Sequence, residues 1–423
     1  METTNNLTKK IFYGDISVWV IFLLLICCSL IEVFSATSTL AYRQENIWVP
    51  IMRHASFLFG GFLLILGLSH THYRFFSLAI LLLPVAIVML VATFFIGVGS
   101  HDAYRFLSLF GIQFQPSEFG KLACVIYVAF LLSKRRKLSN DRVFKLILWG
   151  VSPVCLLILP FNLSTFILLT AVCLLMMFIG QIPYRKLIKL TLVLLALGTV
   201  AVTLLYLIPP ETVNKYMRRA STWQNRVIRF VDPKTEQDSK TYLLPSDDDY
   251  QIIHAKAAIA GGGLFGKGPG RSEQRDFLPQ AFSDFIFAII IEELGVVGGF
   301  CVLLLYLMLM VRVGVIAKKC EKLFPRYLVV GCGLLIVLQA LLHMAVNVDM
   351  GPVTGQPLPL ISRGGTSTML TCVYIGIILS VSHFGAGMSE MDEDEEEDEE
   401  EMETEADSEK NPIFAVESSV SER

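Results

Sequence analysis

Residues 277–300, FLPQAFSDFIFAIIIEELGVVGGF, carry three carboxylates in one long apolar stretch. Asp284 stands at the mouth of the apolar run, and Glu292 and Glu293 lie inside it. A run of this length predicts a membrane-spanning helix. Ionisable residues are rare inside such helices, so each of the three is expected to have a specific role.

The whole chain is too apolar for a soluble protein of its length. Its 423 residues are 54% hydrophobic and 17% charged, and the mean hydropathy is +0.59. This composition predicts an all-α polytopic membrane protein. Lys9 and Lys10 precede a first apolar run that is long enough to span, and no clean cleavage pattern follows, so we expect an uncleaved first helix.

Apolar runs of about 20 residues predict ten membrane-spanning helices. Pro160 and Asn162, in LPFNLST, divide what could otherwise be one long helix into the fifth and sixth spans. The ten predicted spans are roughly 16–36, 55–70, 75–98, 119–133, 144–160, 164–181, 187–209, 284–311, 326–346 and 366–386.

The distribution of lysine and arginine predicts the orientation of these spans. With the N-terminus in the cytoplasm, the inner short segments contain 17 basic residues and the outer short loops contain 5. Both termini are therefore expected in the cytoplasm. A large loop, residues 210–283, is expected outside, between the seventh and eighth helices.

Composition divides the chain into three parts. Residues 1–15 form a cytoplasmic N-terminus, and residues 16–388 form the transmembrane domain. Residues 389–423 hold 17 acidic and only 2 basic residues, which predicts a disordered acidic cytoplasmic tail. This tail either solvates the chain or docks a partner through NPIFAV, its only apolar stretch.

Two segments of the external loop carry positive charge. Residues 211–233 are typical of an amphipathic helix on the membrane surface, whose arginines either anchor it to lipid phosphates or hold a diphosphate group. Further on, GGGLFGKG satisfies GxxxxGK from Gly261 to Lys267, but it lacks the Ser or Thr of a P-loop and follows no strand. It is either a turn that brings backbone N–H groups and Lys267 to an anionic ligand, or a flexible connection.

QPSEFGK, residues 115–121, leads into the fourth span. Pro116 and Glu118 suit the first turn of a helix, and Glu118 and Lys121 share a face because they are three residues apart. Capping with a local ion pair explains this pattern. An ion pair at the external edge of a span could equally bind a polar headgroup.

Asp284 is the sharpest catalytic candidate. Phenylalanines flank it at the external interface, where partial desolvation would make a carboxylate a better base, although capping the helix is an alternative role. On a straight helix Glu292 would lie about 80° round the axis and Glu293 about 180°, both roughly 12 Å or more along it. Neither can then form a glycosidase-like pair with Asp284, and both are expected to be hydrogen-bonded in the bundle or to face a wet cavity.

Ten spans, a large external loop after the seventh, and four motifs in this order resemble the SEDS family (shape, elongation, division and sporulation proteins) over about residues 15–387. The motifs are QPSEFGK, YQIIHAKAAIAGGGLFGKGPG, FLPQAFSDFIFAIIIEELG and GPVTGQPLPLISRGGTS. The resemblance, strongest to the division branch, implies a glycosyltransferase of the bacterial inner membrane. It would polymerise lipid II into peptidoglycan strands during septal cell-wall synthesis.

By this resemblance Asp284 is the general base that deprotonates the 4-hydroxyl of the acceptor sugar. Undecaprenyl diphosphate leaves, and the anomeric carbon inverts. The resemblance and the loop motifs together give the substrate-binding candidates Arg105, Glu118, Lys121, Lys267 and Ser362. Several positions depart from the family pattern: Arg363 replaces a usual aromatic residue, Gln280 a common glutamate and Phe106 a usual tryptophan, and Asn162, Leu163 and Ser164 replace a commoner Asp-Leu-Gly.

The resemblance also implies partners. The substrates are lipid II and the nascent glycan strand, and the protein partners are a class B penicillin-binding protein and other division-complex membrane proteins. Nucleic acid is not among them. No cofactor is certain, since the diphosphate could be neutralised by Arg, Lys or a divalent cation such as Mg²⁺ or Mn²⁺.

Two further functions stay open. Ten spans with the intramembrane carboxylates of Glu32, Glu292 and Glu293 would also suit a lipid II flippase. A non-catalytic division scaffold could recruit partners through the acidic tail. A flippase should tolerate loss of Asp284 better than a transferase, and only a scaffold should fail when residues 389–423 are deleted.

Overall fold

The computed structural model describes residues 12–44, 48–97, 106–109, 112–208, 224, 247–278, 281–351 and 354–385. Within them, one two-stranded antiparallel sheet, Leu107–Leu109 (β1) and Ile112–Phe114 (β2), accompanies eleven α-helices. The helices are α1 Ile16–Gln44, α2 Trp48–Ser69, α3 Leu82–Ile96, α4 Pro116–Ser133, α5 Asn140–Ile158, α6 Leu163–Ile179, α7 Tyr184–Leu207, α8 Asp247–Gly262, α9 Ile286–Lys319, α10 Leu323–Asn347 and α11 Thr366–Phe384.

Each of the ten predicted spans coincides with a described helix, and the all-α polytopic fold is confirmed. Among the described residues, eight spans are long and apolar enough to cross a membrane; the third is one of them because the 3-10 helix Tyr73–Leu81 extends α3 to a span of 24 residues, Tyr73–Ile96. The other two are α5, with 19 residues and a charged first turn, and α6, with 17 residues. Ten crossings, with both termini in the cytoplasm, therefore stays a prediction. The tail and residues 211–233 lie outside the described residues, apart from Gln224.

The turn between α5 and α6 forms where the sequence predicts it. Asn162 has an extended backbone, and its side chain accepts a hydrogen bond of 3.2 Å from the N–H of Thr165. This bond satisfies one of the free donors in the first turn of α6. The two helices consequently form a hairpin and not one long span.

Helices α4, α10 and α11 form the centre of the bundle, and most of their residues are buried. α2 packs along α11, and α9 packs along α10. α7 lies at the edge, where most of its apolar side chains are exposed, as expected for a helix that faces lipid. The bundle therefore surrounds the polar residues of α4 and α10 with protein on every side.

α9 differs from the straight span expected over 284–311. It begins at Ile286, after Asp284, and its backbone leaves the helical conformation at Gly295, with φ 74° and ψ −179°. A Cβ atom built on Gly299 would lie 2.8 Å from Cγ1 of Ile291. On a straight helix, residues eight apart are separated by about 12 Å, so the first part of α9 folds back towards the second. The angular positions worked out from Asp284 do not apply either, because Asp284 precedes the first helical residue, Ile286, whereas the bend lies beyond Glu292 and Glu293.

Residues 263–270, termed the glycine clasp, supply the backbone hydrogen bonds that the bend at Gly295 interrupts. An interrupted helix leaves carbonyl and N–H groups unpaired, and buried groups of this kind need partners. Four hydrogen bonds join the clasp to α9: Lys267 N–H to Glu292 C=O (3.0 Å), Gly268 N–H to Glu293 C=O (2.8 Å), Val296 N–H to Gly263 C=O (3.0 Å) and Val297 N–H to Leu264 C=O (3.2 Å). The clasp is therefore an ordered part of the bundle, and the expectation of a flexible connection is wrong.

Replacing Gly266 with alanine should destabilise the protein by about 2 kcal/mol or more. Gly266 has φ +77°, and a Cβ atom there would collide with the main-chain carbonyl of Glu293. Gly263→Ala is the matched control, because Gly263 also has a positive φ but no atom within 4 Å of the added Cβ. Thermal unfolding in detergent should show the larger loss for Gly266→Ala, and equal losses would contradict the assigned packing.

Candidate active site

Three consecutive carbonyl groups hold the segment that carries Asp284. The carbonyl of Phe282 accepts from the N–H of Arg363 at 3.0 Å. The carbonyl of Ser283 accepts from Oγ of Ser362 at 2.6 Å, and that of Asp284 accepts from Nδ2 of Asn347 at 3.1 Å. The donors come from the end of α10 and the loop before α11, so these two elements fix the path of the backbone at Asp284.

The Asp284 carboxylate is half-buried, and its Oδ1 accepts a hydrogen bond of 3.1 Å from Oγ of Ser283. The next residue, Phe285, is buried against α8 and α9, and it occupies the N-cap position of α9. Asp284 is thus not the cap residue. A partly exposed carboxylate on a fixed backbone can still reach a substrate hydroxyl, which is what a general base requires.

The loop before α11 turns back into the bundle. Nε2 of Gln339 donates to the carbonyl of Pro357 at 3.0 Å, and Gln339 lies about two turns, roughly 12 Å, before the end of α10. The hydroxyl of Tyr306, on α9, donates to the carbonyl of Pro359. The side chain of Gln356 donates to Oγ1 of Thr165 at 2.7 Å. We call residues 356–363 the re-entrant segment, and its C-terminal end supplies the contacts to Phe282 and Ser283.

Glu118 and Lys121, on α4, are joined to this segment through Gln339. Their side chains form an ion pair of 2.7 Å and are 4% and 0% exposed. Nζ of Lys121 also donates to Oε1 of Gln339 at 2.8 Å, which connects the pair to the re-entrant segment through Gln339. Both residues are enclosed, so substrate binding by them stays a prediction, and their contacts favour a supporting role.

Ser362 and Lys267 have different surroundings. Ser362 is 1% exposed, and its hydroxyl also accepts from the N–H of Leu358 at 2.8 Å. Nζ of Lys267 lies 2.8 Å from Oε1 of Glu292 and 3.2 Å from Oε2 of Glu273. Hydrogen bonding to Glu292 raises the pKa of Lys267. Lys267 thus neutralises carboxylates at the clasp, and its binding of an anionic ligand also stays a prediction. Arg105 lies outside the described residues.

Glu292 and Glu293 are buried and hydrogen-bonded, which is one of the two arrangements that the sequence left open. Glu292 accepts from Lys267, from the hydroxyl of Ser272 and from two main-chain N–H groups of the loop. Glu293 accepts from the hydroxyl of Ser35 and from the N–H groups of Gly270 and Ser272. Their role is to hold the external loop against the bend of α9.

Sequence reasoning treated Arg363 only as a departure from the family pattern. Its guanidinium lies 5.1 Å from the ring centroid of Phe282, two residues before Asp284, and its side chain is half-buried. Burial and the charge of Arg53 lower the pKa of Arg363, although a guanidinium stays protonated at neutral pH. The replacement of an aromatic residue by a cation at the end of the re-entrant segment was the signal in the sequence that pointed to Arg363.

The part of the chain that the structure describes contains no group of three or more His, Cys, Asp and Glu side chains that could hold a metal ion. Asp284 is the only carboxylate among the residues joined by the hydrogen bonds to Arg363, Ser362 and Asn347. A requirement for Mg²⁺ or Mn²⁺ stays a prediction.

A family model of cell cycle proteins, FtsW/RodA/SpoVE, matches residues 15–386. The chain belongs to this family. The match covers every described helix and the whole candidate site, and it excludes only the two ends of the chain. The SEDS resemblance found in the motifs is thereby confirmed.

Two relatives illustrate the similarity within the FtsW/RodA/SpoVE family. The probable peptidoglycan glycosyltransferase FtsW of Geobacter sulfurreducens is 30% identical over 387 residues, which cover 88% of this chain and 96% of the relative. Stage V sporulation protein E of Bacillus subtilis is 30% identical, with coverage of 89% and 99%. The alignments span nearly the full length of both relatives.

Solved structures of the family share the fold. The rod shape determining protein RodA of Thermus thermophilus has a TM-score of 0.61 at 22% identity, covering 88% of this chain and 97% of RodA. A chain from a peptidoglycan synthase complex that coordinates polymerization and crosslinking has a TM-score of 0.64 at 23% identity, with coverage of 88% and 98%. At these identities the likeness establishes the polytopic helical fold.

Lys121→Met should destabilise the protein by about 3–5 kcal/mol, because it leaves the Glu118 carboxylate buried without a cation. The double variant Glu118→Gln with Lys121→Met should recover much of that loss, since no unpaired charge is then buried. Unfolding in detergent measures both effects. A Lys121→Met single variant as stable as the parent would show that the pair does not support the bundle.

Proposed function

We propose that the chain is a peptidoglycan glycosyltransferase that polymerises lipid II, with Asp284 as general base. The observation that carries this proposal is the half-buried Asp284 carboxylate, on a backbone fixed by three consecutive hydrogen bonds. Fixed placement of a base against a bound hydroxyl is worth several orders of magnitude in rate. The names of the FtsW relatives support the reaction class.

In the proposed reaction the 4-hydroxyl oxygen of the acceptor sugar attacks the anomeric carbon of the lipid-linked donor strand. The new C–O bond forms while the bond from that carbon to the diphosphate oxygen breaks, and the carbon inverts. The hydroxyl proton passes to the carboxylate of Asp284, and the electron pair leaves with undecaprenyl diphosphate. A sugar hydroxyl is far less acidic than a carboxylic acid, so Asp284 takes the proton only as the new bond forms.

The leaving diphosphate requires positive charge, and Arg363 is the described cation that we assign to it. Stacking on Phe282 and the main-chain bond to the same residue hold Arg363 beside the Asp284 segment. A planar guanidinium matches two phosphate oxygens at once. The base and the leaving-group cation thus share one support, the re-entrant segment.

The septal role, the inner-membrane location and the class B penicillin-binding partner are assigned by likeness to the FtsW relatives and to the synthase complex. A lipid II flippase is the rival function. Two of its three candidate intramembrane carboxylates, Glu292 and Glu293, are occupied by hydrogen bonds to the external loop. These contacts favour the transferase.

Asp284→Asn should reduce the rate of glycan polymerisation by at least about 100-fold, because the amide cannot accept the proton. The replacement keeps the size of the side chain and an acceptor for Ser283, so thermal stability should not change. Polymerisation of lipid II by the purified protein with its crosslinking partner measures the effect.

Asp349→Asn is the matched control for this change. Asp349 forms an exposed ion pair with Lys256 and has φ +60°, a conformation that asparagine tolerates. It should polymerise at the parent rate. Normal polymerisation by Asp284→Asn would overturn the assignment of the base. Retained lipid II transport in vesicles without any polymerisation by the parent protein would favour the flippase.

Arg363→Gln should lower kcat/KM for lipid II by about tenfold or more, since one donor to the developing phosphate charge is lost. Arg363→Lys keeps the positive charge but loses the planar guanidinium, so its kcat/KM should lie between those of the parent and Arg363→Gln. Arg271→Gln removes an exposed arginine of the external loop and serves as control. Equal kcat/KM values for Arg363→Gln and Arg271→Gln would show that Arg363 does not stabilise the leaving diphosphate.

A further inference from the structure

Asn347, the last residue of α10, connects two helices at the candidate active site. Its side chain is buried, with 1% exposure. Nδ2 donates to the carbonyl of Asp284 at 3.1 Å and to the carbonyl of His343 at 2.9 Å. Oδ1 accepts from the N–H of Ala288 at 3.1 Å. One amide group therefore contacts the backbone at Asp284, just before α9, and at Ala288, within the first turn of α9.

The start of α9 needs such a partner. The first four N–H groups of a helix have no acceptor within the helix, and side chains at the N-cap usually supply one. The N-cap of α9 is Phe285, which makes no side-chain cap hydrogen bond. Asn347 supplies a side-chain acceptor from α10, 59 residues further along the chain, and it shares the N–H of Ala288 with the carbonyl of Phe285. The first turn of α9 is thus capped by another helix.

The same amide group holds the residue proposed as general base. The Nδ2 bond fixes the carbonyl of Asp284, and the Oδ1 bond fixes the turn that follows. The second bond of Nδ2, which it donates to the carbonyl of His343, sets the orientation of the amide. Only a side chain that both donates and accepts can make these contacts. Aspartate keeps the shape and the acceptor but has no donor for Asp284.

We propose that Asn347 is a positioning residue for the reaction, acting through the main-chain carbonyl of Asp284. The inference rests on the proposed function of Asp284 as base. A misplacement of a reacting group by about 1 Å costs roughly 100-fold in rate, so a single hydrogen bond to the backbone of the base can control kcat.

The test compares Asn347→Ala with Asn347→Asp in the full-length protein with its crosslinking partner. Asn347→Ala should lose both stability and about 10- to 100-fold in kcat, with little change in KM for lipid II. Asn347→Asp keeps the acceptor for Ala288 but buries a carboxylate beside the carbonyls of Asp284 and His343, so it should lose stability, and its kcat should be low because the donor to Asp284 is absent. Loss of a merely structural cap would lower stability but leave kcat unchanged at temperatures where the variants stay folded.

Ser380→Ala is the matched control for loss of a buried hydrogen bond between elements. The Ser380 hydroxyl donates to the carbonyl of Thr71 near the opposite end of α11 from Asp284. This variant should lose stability without loss of kcat. If Asn347→Asp polymerises at the parent rate, or if its defect lies in KM alone, Asn347 is not a positioning residue.

Asp284→Asn measured in the same assay separates this inference from the function it rests on. An inactive Asp284→Asn with a fully active Asn347→Ala overturns the role of Asn347 and leaves the base in place. An active Asp284→Asn overturns the base, and with it any positioning of that base by Asn347. Loss of kcat in Asp284→Asn and in both Asn347 variants supports the two proposals together.

Discussion

The constraint on which the structure depends is the need to pair the backbone groups that the bend at Gly295 releases. The bend interrupts α9 inside a buried region, where unpaired carbonyl and N–H groups are costly. The glycine clasp pairs four of them. Glycine is required at Gly266 because the backbone there is left-handed and touches the Glu293 carbonyl. The clasp consequently fixes this part of the external loop to α9.

The bend also explains why Asp284 meets its partners. Because the first part of α9 folds back towards the second, the residues before Ile286 reach the end of α10 and the re-entrant segment. The re-entrant segment is in turn supported by the buried pair of Glu118 and Lys121 through Gln339. The candidate base is therefore held directly by α10 and the re-entrant segment, and indirectly by α4, which suits a group that must keep a fixed position.

The three carboxylates of residues 277–300 have two different roles. Glu292 and Glu293 accept hydrogen bonds from the loop and from Ser35, and they contribute to the attachment of the clasp. Asp284 is half-buried, and its carboxylate accepts a hydrogen bond from the hydroxyl of Ser283. A partly exposed carboxylate can reach the proton of a substrate hydroxyl, whereas a carboxylate enclosed by the loop cannot. The same residue type is thus structural in one place and suited to chemistry in another.

The sequence by itself determined the membrane class, the ten helical segments, the break at Asn162, and the motifs that mark the family. These features follow from local composition, periodicity and helix signals, which need no knowledge of distant contacts. Only the tertiary structure decided the bend at Gly295, the attachment of the GxxxxGK stretch to α9, and the positions of Asn347 and Arg363 beside the Asp284 segment. The bonds from Asn347 to Asp284 and from Ser362 to Ser283 join residues 63 and 79 positions apart. A glycine-rich sequence can donate its N–H groups either to an anion or to the unpaired carbonyls of an interrupted helix. The sequence does not distinguish the two, because packing determines which acceptor the N–H groups meet.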